Sequence, residues 1–565
     1  MQFSGLLHHL RQRPAGRLAA KVFRLWRTTG LAGLRWRWRL LRAQTQGYAR
    51  WLREQAIRTA AEHPARVTEI ATLQPAPLIS VIMPVCDPPE PWLHRAIESV
   101  RAQLYPHWQL CIADDASRAP HVRRLLESAA AEDRRIRLSF RAARGHICAA
   151  TRTALDLAEG GFVTFLDHDD ELEPLALARI AAEIGRHPAA DMLYGDEDLI
   201  GTDGRRSDPY FKPDWNPELL RAQNYICHSA VYRADLLHAL DAFRPEVQGS
   251  QDWDLALRAG ERAACIRHIP HILYHWRTVP GSTAHADTAK PYTLEAGRRA
   301  VQGHLDRCGE RARVELLPFG HLSVRHTLPV PTPTVSLIVT TPEACEPLLK
   351  VTDYAGLEVL PVTGSGAELP RQINRVAARA WGDLLCLVDG RCRPRDAGWL
   401  ATLVAEAVRP GTGAVGARLL DARGRILHAG YLLDPEAIIL HPYRGAPAAF
   451  PGVRNRALLQ QNVSAVSGAC LVVKQAAFGQ AGGLDPESGC FFAVDFCLRL
   501  LDSGLRNVWT PQATLVLPAP DATAPDALSL RYMQTRWRER LAHDPAGSPC
   551  IALVHGLPVP GTMPP

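Results

Sequence analysis

Twice in this chain a short apolar run breaks into acidic residues, with helical periodicity around the runs. That alternation narrows the fold more than any other feature. Leu78-Ile79-Ser80-Val81-Ile82-Met83 is stopped by Pro84, the pattern of a buried strand. Leu93, Ile97 and Val100 follow at helical spacing, and Gln109-Leu110-Cys111-Ile112-Ala113 then runs into Asp114-Asp115. After a further helix, strand and helix, Phe162-Val163-Thr164-Phe165-Leu166 runs into Asp167-His168-Asp169-Asp170. Strands alternating with helices predict an α/β fold on a mostly parallel sheet. Ligands of open sheets bind beyond the carboxyl ends of strands, where both acidic clusters lie.

The pattern recurs. Val335-Ser336-Leu337-Ile338-Val339 echoes 78–83, Asp383–Asp389 echoes 162–169, and Val494-Asp495-Phe496-Cys497-Leu498-Arg499 echoes the stretch Gln251–Arg258. A divergent tandem duplication is the economical reading. It divides the 565 residues into a helical segment over 1–75, a first α/β domain over 76–325 and a second over 326–565.

Residues 1–60 hold 13 Lys or Arg against the single acid Glu54, leaving 52 basic and 57 acidic side chains beyond them. A basic arm on a mildly acidic body calls for an anionic partner. Leu18, Val22 and Leu25 share one helical side, and Leu34, Trp38 and Leu41 share a face next to Arg35, Arg39 and Arg42. Such a helix suits an anionic membrane surface, with apolar groups in the acyl boundary and guanidinium groups on lipid phosphates. The competing reading is a helix packed on the protein's own body; nucleic acid is not expected. The 13 scattered cysteines form no CxxC pair, and a leader-like start is absent, which favours a reducing compartment, the cytosol. No run of 18 apolar residues occurs, so no spanning helix is expected.

Three carboxylates within 167–170 repel one another unless a cation is present, and hard oxygen ligands suit Mg²⁺ or Mn²⁺. A solvated turn or helix cap is the alternative for any acidic cluster; the buried strand entering this one favours the ion. Asp114 or Asp115 offers an acceptor for a nucleobase N–H or a ribose hydroxyl. In Gly249-Ser250-Gln251-Asp252-Trp253-Asp254, Asp252 or Asp254 is either a general base or an N-terminal helix cap. His275, in Tyr274-His275-Trp276-Arg277, is a candidate for the metal shell, although a lone His is more often structural.

Together these stretches resemble family 2 glycosyltransferases of the GT-A fold. The likeness runs in order through Ser80–Val85, Asp114-Asp115-Ala116-Ser117, Leu166–Leu172, Tyr194-Gly195-Asp196-Glu197-Asp198, Phe211–Asn216, Asn224-Tyr225-Ile226-Cys227-His228, Gly249–Asp252 and Tyr274–Arg277. The longer forms resemble a subgroup that builds bacterial surface polysaccharides such as O-antigen. The resemblance implies a nucleotide-sugar pocket of Pro84, Val85, Asp87, Asp114, Asp115, Asp167 and His168. It implies metal contacts at Asp167, Asp169 and His275, a catalytic base at Asp252, and acceptor-side candidates Asp196, Glu197, Asp198, Trp253 and Asp254. It further implies inverting transfer to a glycan or polyprenyl-linked acceptor by a protein peripheral on the inner face of the cytoplasmic membrane. Cys86-Asp87, Arg144 and Arg152 depart from the family's usual residues.

Residues 334–553 resemble the subgroup's second domain, but its metal cluster reads Val388-Asp389-Gly390-Arg391-Cys392-Arg393. Cations there oppose Mg²⁺ by Coulomb repulsion, so this half is expected to scaffold or to hold acceptor. A noncatalytic glycan-binding or assembly protein with both halves inactive is the alternative for the whole chain.

Overall fold

The structure is a computed structural model describing residues 15–74, 76–279, 291–518 and 525–561. Helix α1 (Ala15–Thr72) precedes two nine-stranded sheets. The first sheet contains β1 (Ile79–Val85), β2 (Trp108–Asp114), β3 (Ile136–Phe140), β4 (Phe162–Phe165), β5 (Glu171–Leu172), β6 (Met192–Gly201), β7 (Arg206–Tyr210), β8 (Ala230–Arg233) and β9 (Ile266–Thr278). Their order is β3-β2-β1-β4-β8-β6-β9-β5, with β7 beside β6. The expected parallel pairing holds for β3-β2-β1-β4 and for β6-β9, whereas β8 runs antiparallel to both β4 and β6. The sheet is therefore mixed, its parallel pairs interrupted by the antiparallel β8. The helices that follow β1 and β2 (Glu90–Arg101 and Pro120–Glu132) place Leu93, Ile97, Val100, Val122 and Leu126 in its core.

The second sheet repeats this order. Its strands β10 (Val335–Thr340), β11 (Leu357–Val362), β12 (Leu384–Asp389), β13 (Arg393–Pro394), β14 (Thr412–Leu420), β15 (Cys470–Lys474) and β16 (Arg506–Val516) run β11-β10-β12-β15-β14-β16-β13. Strand for strand this matches β2-β1-β4-β8-β6-β9-β5, without a counterpart of β3. One packing detail is also duplicated. The Ser80 hydroxyl accepts from Gly160 N at 3.0 Å, and that of Ser336 from Gly382 N at 2.9 Å. A side chain at either glycine would lie under 3 Å from the neighbouring strand.

Helix α1 resolves part of the choice left open by sequence. Leu40, Tyr48, Trp51 and Gln55 are buried at helical spacing, with Trp51 against Tyr48 and Phe211 and Trp36 against Phe450. This middle stretch packs on the body. Phe23, Trp26, Leu31 and Trp38 remain exposed, beside exposed Arg27, Arg35, Arg39 and Arg42. The side chains of Leu18, Val22 and Leu25 lie outside the described residues, as do 1–14 and Pro280-Gly281-Ser282-Thr283. Among the described residues no helix is long and apolar enough to cross a membrane.

Candidate functional site

The carboxyl ends of β1, β2 and β4 meet at one edge of the first sheet. The Pro84 carbonyl lies 3.2 Å from His168 Nδ1, and that of Val85 accepts from Asp115 N at 2.8 Å. Asp114 is buried, and among the described residues its carboxylate receives only bonds of 3.3 Å from Ser117 N, so its carboxylate oxygens keep capacity for another donor. Asp115 and Asp87 are already engaged. Asp115 accepts from Arg141 Nε at 2.9 Å and Gly145 N at 2.8 Å. Asp87, at φ 49°, accepts from Arg118 N at 2.7 Å and Ala119 N at 3.0 Å, and the Ala119 bond leads the effects that lower its pKa. Both hold the loops beside these strand ends. Arg144 is exposed beside Cys86 and Asp87. Arg152 turns instead to the Asp241 carboxylate and the Phe243 carbonyl.

The acidic cluster is anchored from β9. The Tyr274 hydroxyl accepts from Asp167 N at 3.2 Å and donates to Asp170 Oδ2 at 2.6 Å, while Arg277 N donates to Asp170 Oδ1 at 2.7 Å. Burial, then the charges of Asp167 and Asp169, push Asp170 well above the ordinary carboxylate pKa, and burial raises Asp169. This is what uncompensated carboxylates do when withdrawn from water. The His228 ring lies flat on Tyr274, with centroids 4.5 Å apart and planes 6° from parallel. Ligand atoms of Asp167, Asp170 and His228 all fall within 4.8 Å of one another. Two carboxylates and an imidazole at that spacing could hold a divalent metal ion.

Helix α2 (Gln251–Arg262) delivers Asp252, half-buried in its first turn. Asn224 Nδ2 donates to its Oδ2 at 2.7 Å. Burial raises its pKa against the opposing pull of nearby His228, which makes it a better proton acceptor than an exposed aspartate. Asn224 and His228 sit on one loop, held from beneath by buried Lys212, whose Nζ donates to the Ile226 carbonyl at 2.7 Å and Glu197 Oε2 at 3.0 Å. Sequence reasoning singled out this stretch and Asp170 without giving them roles. The return of β8 beside β4 brings the loop to the cluster, which local sequence does not display.

Several expected residues are placed elsewhere. His275 is no neighbour of the acidic cluster: successive strand residues face opposite ways, so with Tyr274 on the cluster, His275 turns to Asp198, at 2.6 Å. Asp198 is sealed between His275, Arg206 and the hydroxyl of Tyr48 from α1. Asp196 is buried against His268 at 2.9 Å and Lys212 N at 2.8 Å. Glu197 is held by Lys212 and by the His228 amide, at 3.2 Å. Asp254 is fully buried between Arg244 and Arg258, and Trp253 Nε1 donates to the Leu220 carbonyl at 2.7 Å. These five acceptor-side candidates are committed to folding contacts. Of the two aspartates left open at the head of α2, Asp254 belongs to the core and Asp252 faces Asn224 on the 224–229 loop.

The second half supplies a natural comparison. Phe162 pairs with Arg233 and Leu384 with Lys474. The spacing from Arg233 to Lys474 also separates Asp254 from Asp495 and Arg258 from Arg499, and both Asp–Arg pairs form, at 2.7 and 2.9 Å. At that spacing His228 corresponds to Ala469 and Asp252 to Ala493. Strand register likewise equates Asp167 with Asp389, Asp169 with Arg391 and Asp170 with Cys392. Arg391 folds back on Asp389, with Nη2 to Oδ2 at 2.6 Å. The Asp–Arg core pair is common to both halves, while His228, Asp169, Asp170 and Asp252 have no like residue in the second.

The family model for glycosyl transferase family 2 matches residues 80–241. An uncharacterized Sinorhizobium fredii protein, y4gI, is 38% identical over 538 residues, 86% of this chain and 59% of that protein. The O-antigen biosynthesis protein RfbC of Myxococcus xanthus is 34% identical over 496 residues, 81% of this chain and 39% of that protein. The chain thus spans little more than half, or less, of these relatives' own lengths. Among solved structures, S. aureus TarS 1-349 in complex with UDP-GlcNAc matches at a TM-score of 0.34 with 22% identity, over 40% of this chain and 66% of that one.

Proposed function

We propose that this chain, which carries a family 2 glycosyltransferase domain over residues 80–241, moves a sugar from a nucleotide-sugar donor to a glycan or lipid-linked acceptor in bacterial surface-polysaccharide synthesis. The observation that carries the reading is convergence. The half-buried base candidate Asp252 and the group Asp167, Asp170 and His228 meet at one loop, 224–229, beyond the strand ends. The identity with an O-antigen biosynthesis protein supports the choice of pathway class.

In this reading Asp114 takes the base or ribose of the donor, and Asp167, Asp170 and His228 hold Mn²⁺ or Mg²⁺, with half-exposed Asp169 alongside. An ion held there would offset the charge developing on the leaving diphosphate. The acceptor hydroxyl oxygen attacks the anomeric carbon as the bond from that carbon to the diphosphate oxygen breaks. Asp252 takes the hydroxyl proton, the nucleoside diphosphate departs, and the single displacement inverts the carbon. The second half, without counterparts of His228, Asp170 or Asp252, performs no transfer. The exposed stretch of α1, with Phe23, Trp26, Leu31 and Trp38 among arginines, rests on an anionic membrane surface at the cytosolic face.

The test is a panel of UDP-, dTDP- and GDP-sugars screened for Mn²⁺-dependent thermal stabilisation, followed by transfer assays with the donors that bind. Metal-dependent transfer or donor hydrolysis is expected. A chain that binds glycan and is inert towards every donor would be a noncatalytic assembly protein.

A further inference from the structure

The segment from β7 to the loop at 224–229 is gripped repeatedly by the second half. Arg454 Nη2 donates to the Asp208 carbonyl at 3.0 Å, and its guanidinium lies over Tyr210, 4.8 Å from the ring centroid. Arg454 and Asn455 both adopt left-handed backbone, at φ 48° and 61°, a cost that packing must over-determine. Asp214 N donates to the Pro545 carbonyl at 3.0 Å, and His543 lies 2.8 Å from Asp214 Oδ2. Glu218 is buried against Arg409 and accepts from Gln460 Nε2 at 2.9 Å.

Asn216 holds the second half at two points. Its Oδ1 caps the helix Pro217–Ala222 by accepting from Leu219 N at 3.0 Å. The same amide spans the backbone of Asn462 in the second half: Nδ2 donates to its carbonyl and Oδ1 accepts from its N–H, both at 2.9 Å. A helix of six residues has no independent stability, so its contacts decide where it lies, and this clamp holds its N-terminal end. Its next residues are Gln223, whose amide donates to the Tyr210 hydroxyl at 2.7 Å, and Asn224, which donates to Asp252.

We propose that the second half is a positioning element for the first half's loop 224–229, acting through the Asn216–Asn462 clamp on the helix that leads into it. The proposal rests on the reading of Asp252 as base, and it gives the inactive half a defined part in the reaction. Asn216 and Asn462 are positioning residues, since neither touches the reacting atoms.

Asn216→Ser in the full chain tests this. Serine keeps a capping oxygen and cannot span both backbone groups of Asn462. The control is Gln512→Ala, which removes a bond of 2.8 Å from the second half to the Val324 carbonyl, a contact between the halves made by neither Asn216 nor residues 224–229. Asn216→Ser should lower kcat about 10- to 100-fold with donor KM unchanged, and should speed amide hydrogen exchange across 216–229. Gln512→Ala should do neither. Wild-type exchange and kcat in Asn216→Ser, or an equal loss of kcat in Gln512→Ala, would overturn the proposal. Were the wild-type chain inert towards every donor, the enzymatic reading would fall, and the exchange measurement would still decide whether the clamp orders the loop.

Discussion

Two histidines divide the labour around β9, and they can be told apart. His228 lies with Asp167 and Asp170, while His275 is buried with Asp198. His228→Ala should abolish the Mn²⁺-dependent rise in Tm while leaving the metal-free Tm nearly unchanged. His275→Ala should keep the Mn²⁺ response and lower stability by about 1–3 kcal/mol, because it strips a partner from a buried carboxylate. The reverse pattern in thermal scans would restore His275 to the metal shell. The sequence displayed the cluster at 167–170 because a buried strand ran straight into it. His228 was hidden because only the antiparallel return of β8 brings it there. The choice between Asp252 and Asp254 had a local signal in hindsight: Arg258 stands four residues after Asp254, ion-pair spacing on a helix, and Asp252 has no such partner.

At the scale of elements, α1 combines a packed stretch with an exposed one. Trp51→Ala should cost about 3–5 kcal/mol, as loss of a buried aromatic does. Trp38→Ala should change stability by less than about 0.5 kcal/mol, as surface changes do, and weaken co-sedimentation with anionic vesicles. Equal vesicle binding by wild type and Trp38→Ala would favour a helix whose only task is packing. Helical periodicity in the sequence revealed the helix but not its inner face, because Tyr48 and Trp51 find their partners far along the chain, at Asp198, Phe211 and Ile272. The junction of β9 with the 208–229 segment makes a pH-dependent contribution. Burial pulls the pKa of His268 down, but the neighbouring carboxylates of Asp196 and Asp214 outweigh it and raise the value from 6.5 to about 9. A raised histidine stabilises fully below its unfolded value and loses that contribution as pH climbs through the folded one. Between pH 6.5 and 9 the wild type should therefore lose stability more steeply than His268→Asn in denaturant titrations. Parallel pH profiles would show that the ion pair contributes nothing.

The whole molecule is two copies of one sheet order that have taken different parts. The duplication was legible from paired apolar runs, and Arg391 and Arg393 set the second acidic turn apart from the first. The matches of Ala469 to His228 and Ala493 to Asp252 needed strand register, because alanines carry no signal of what they replaced. The interface between the halves was also beyond the sequence. Its contacts are single polar residues such as Asn216, Asn462 and His543, paired across hundreds of positions. The claim that one half carries the chemistry is tested most directly by kcat for sugar transfer in two full-length variants, Asp252→Asn and Asp389→Asn. The first should fall about 10²- to 10⁴-fold, the worth of a general base, with donor affinity retained, and the second should match the wild type. Normal turnover in Asp252→Asn, or a comparable collapse in Asp389→Asn, would contradict a single site in the first half.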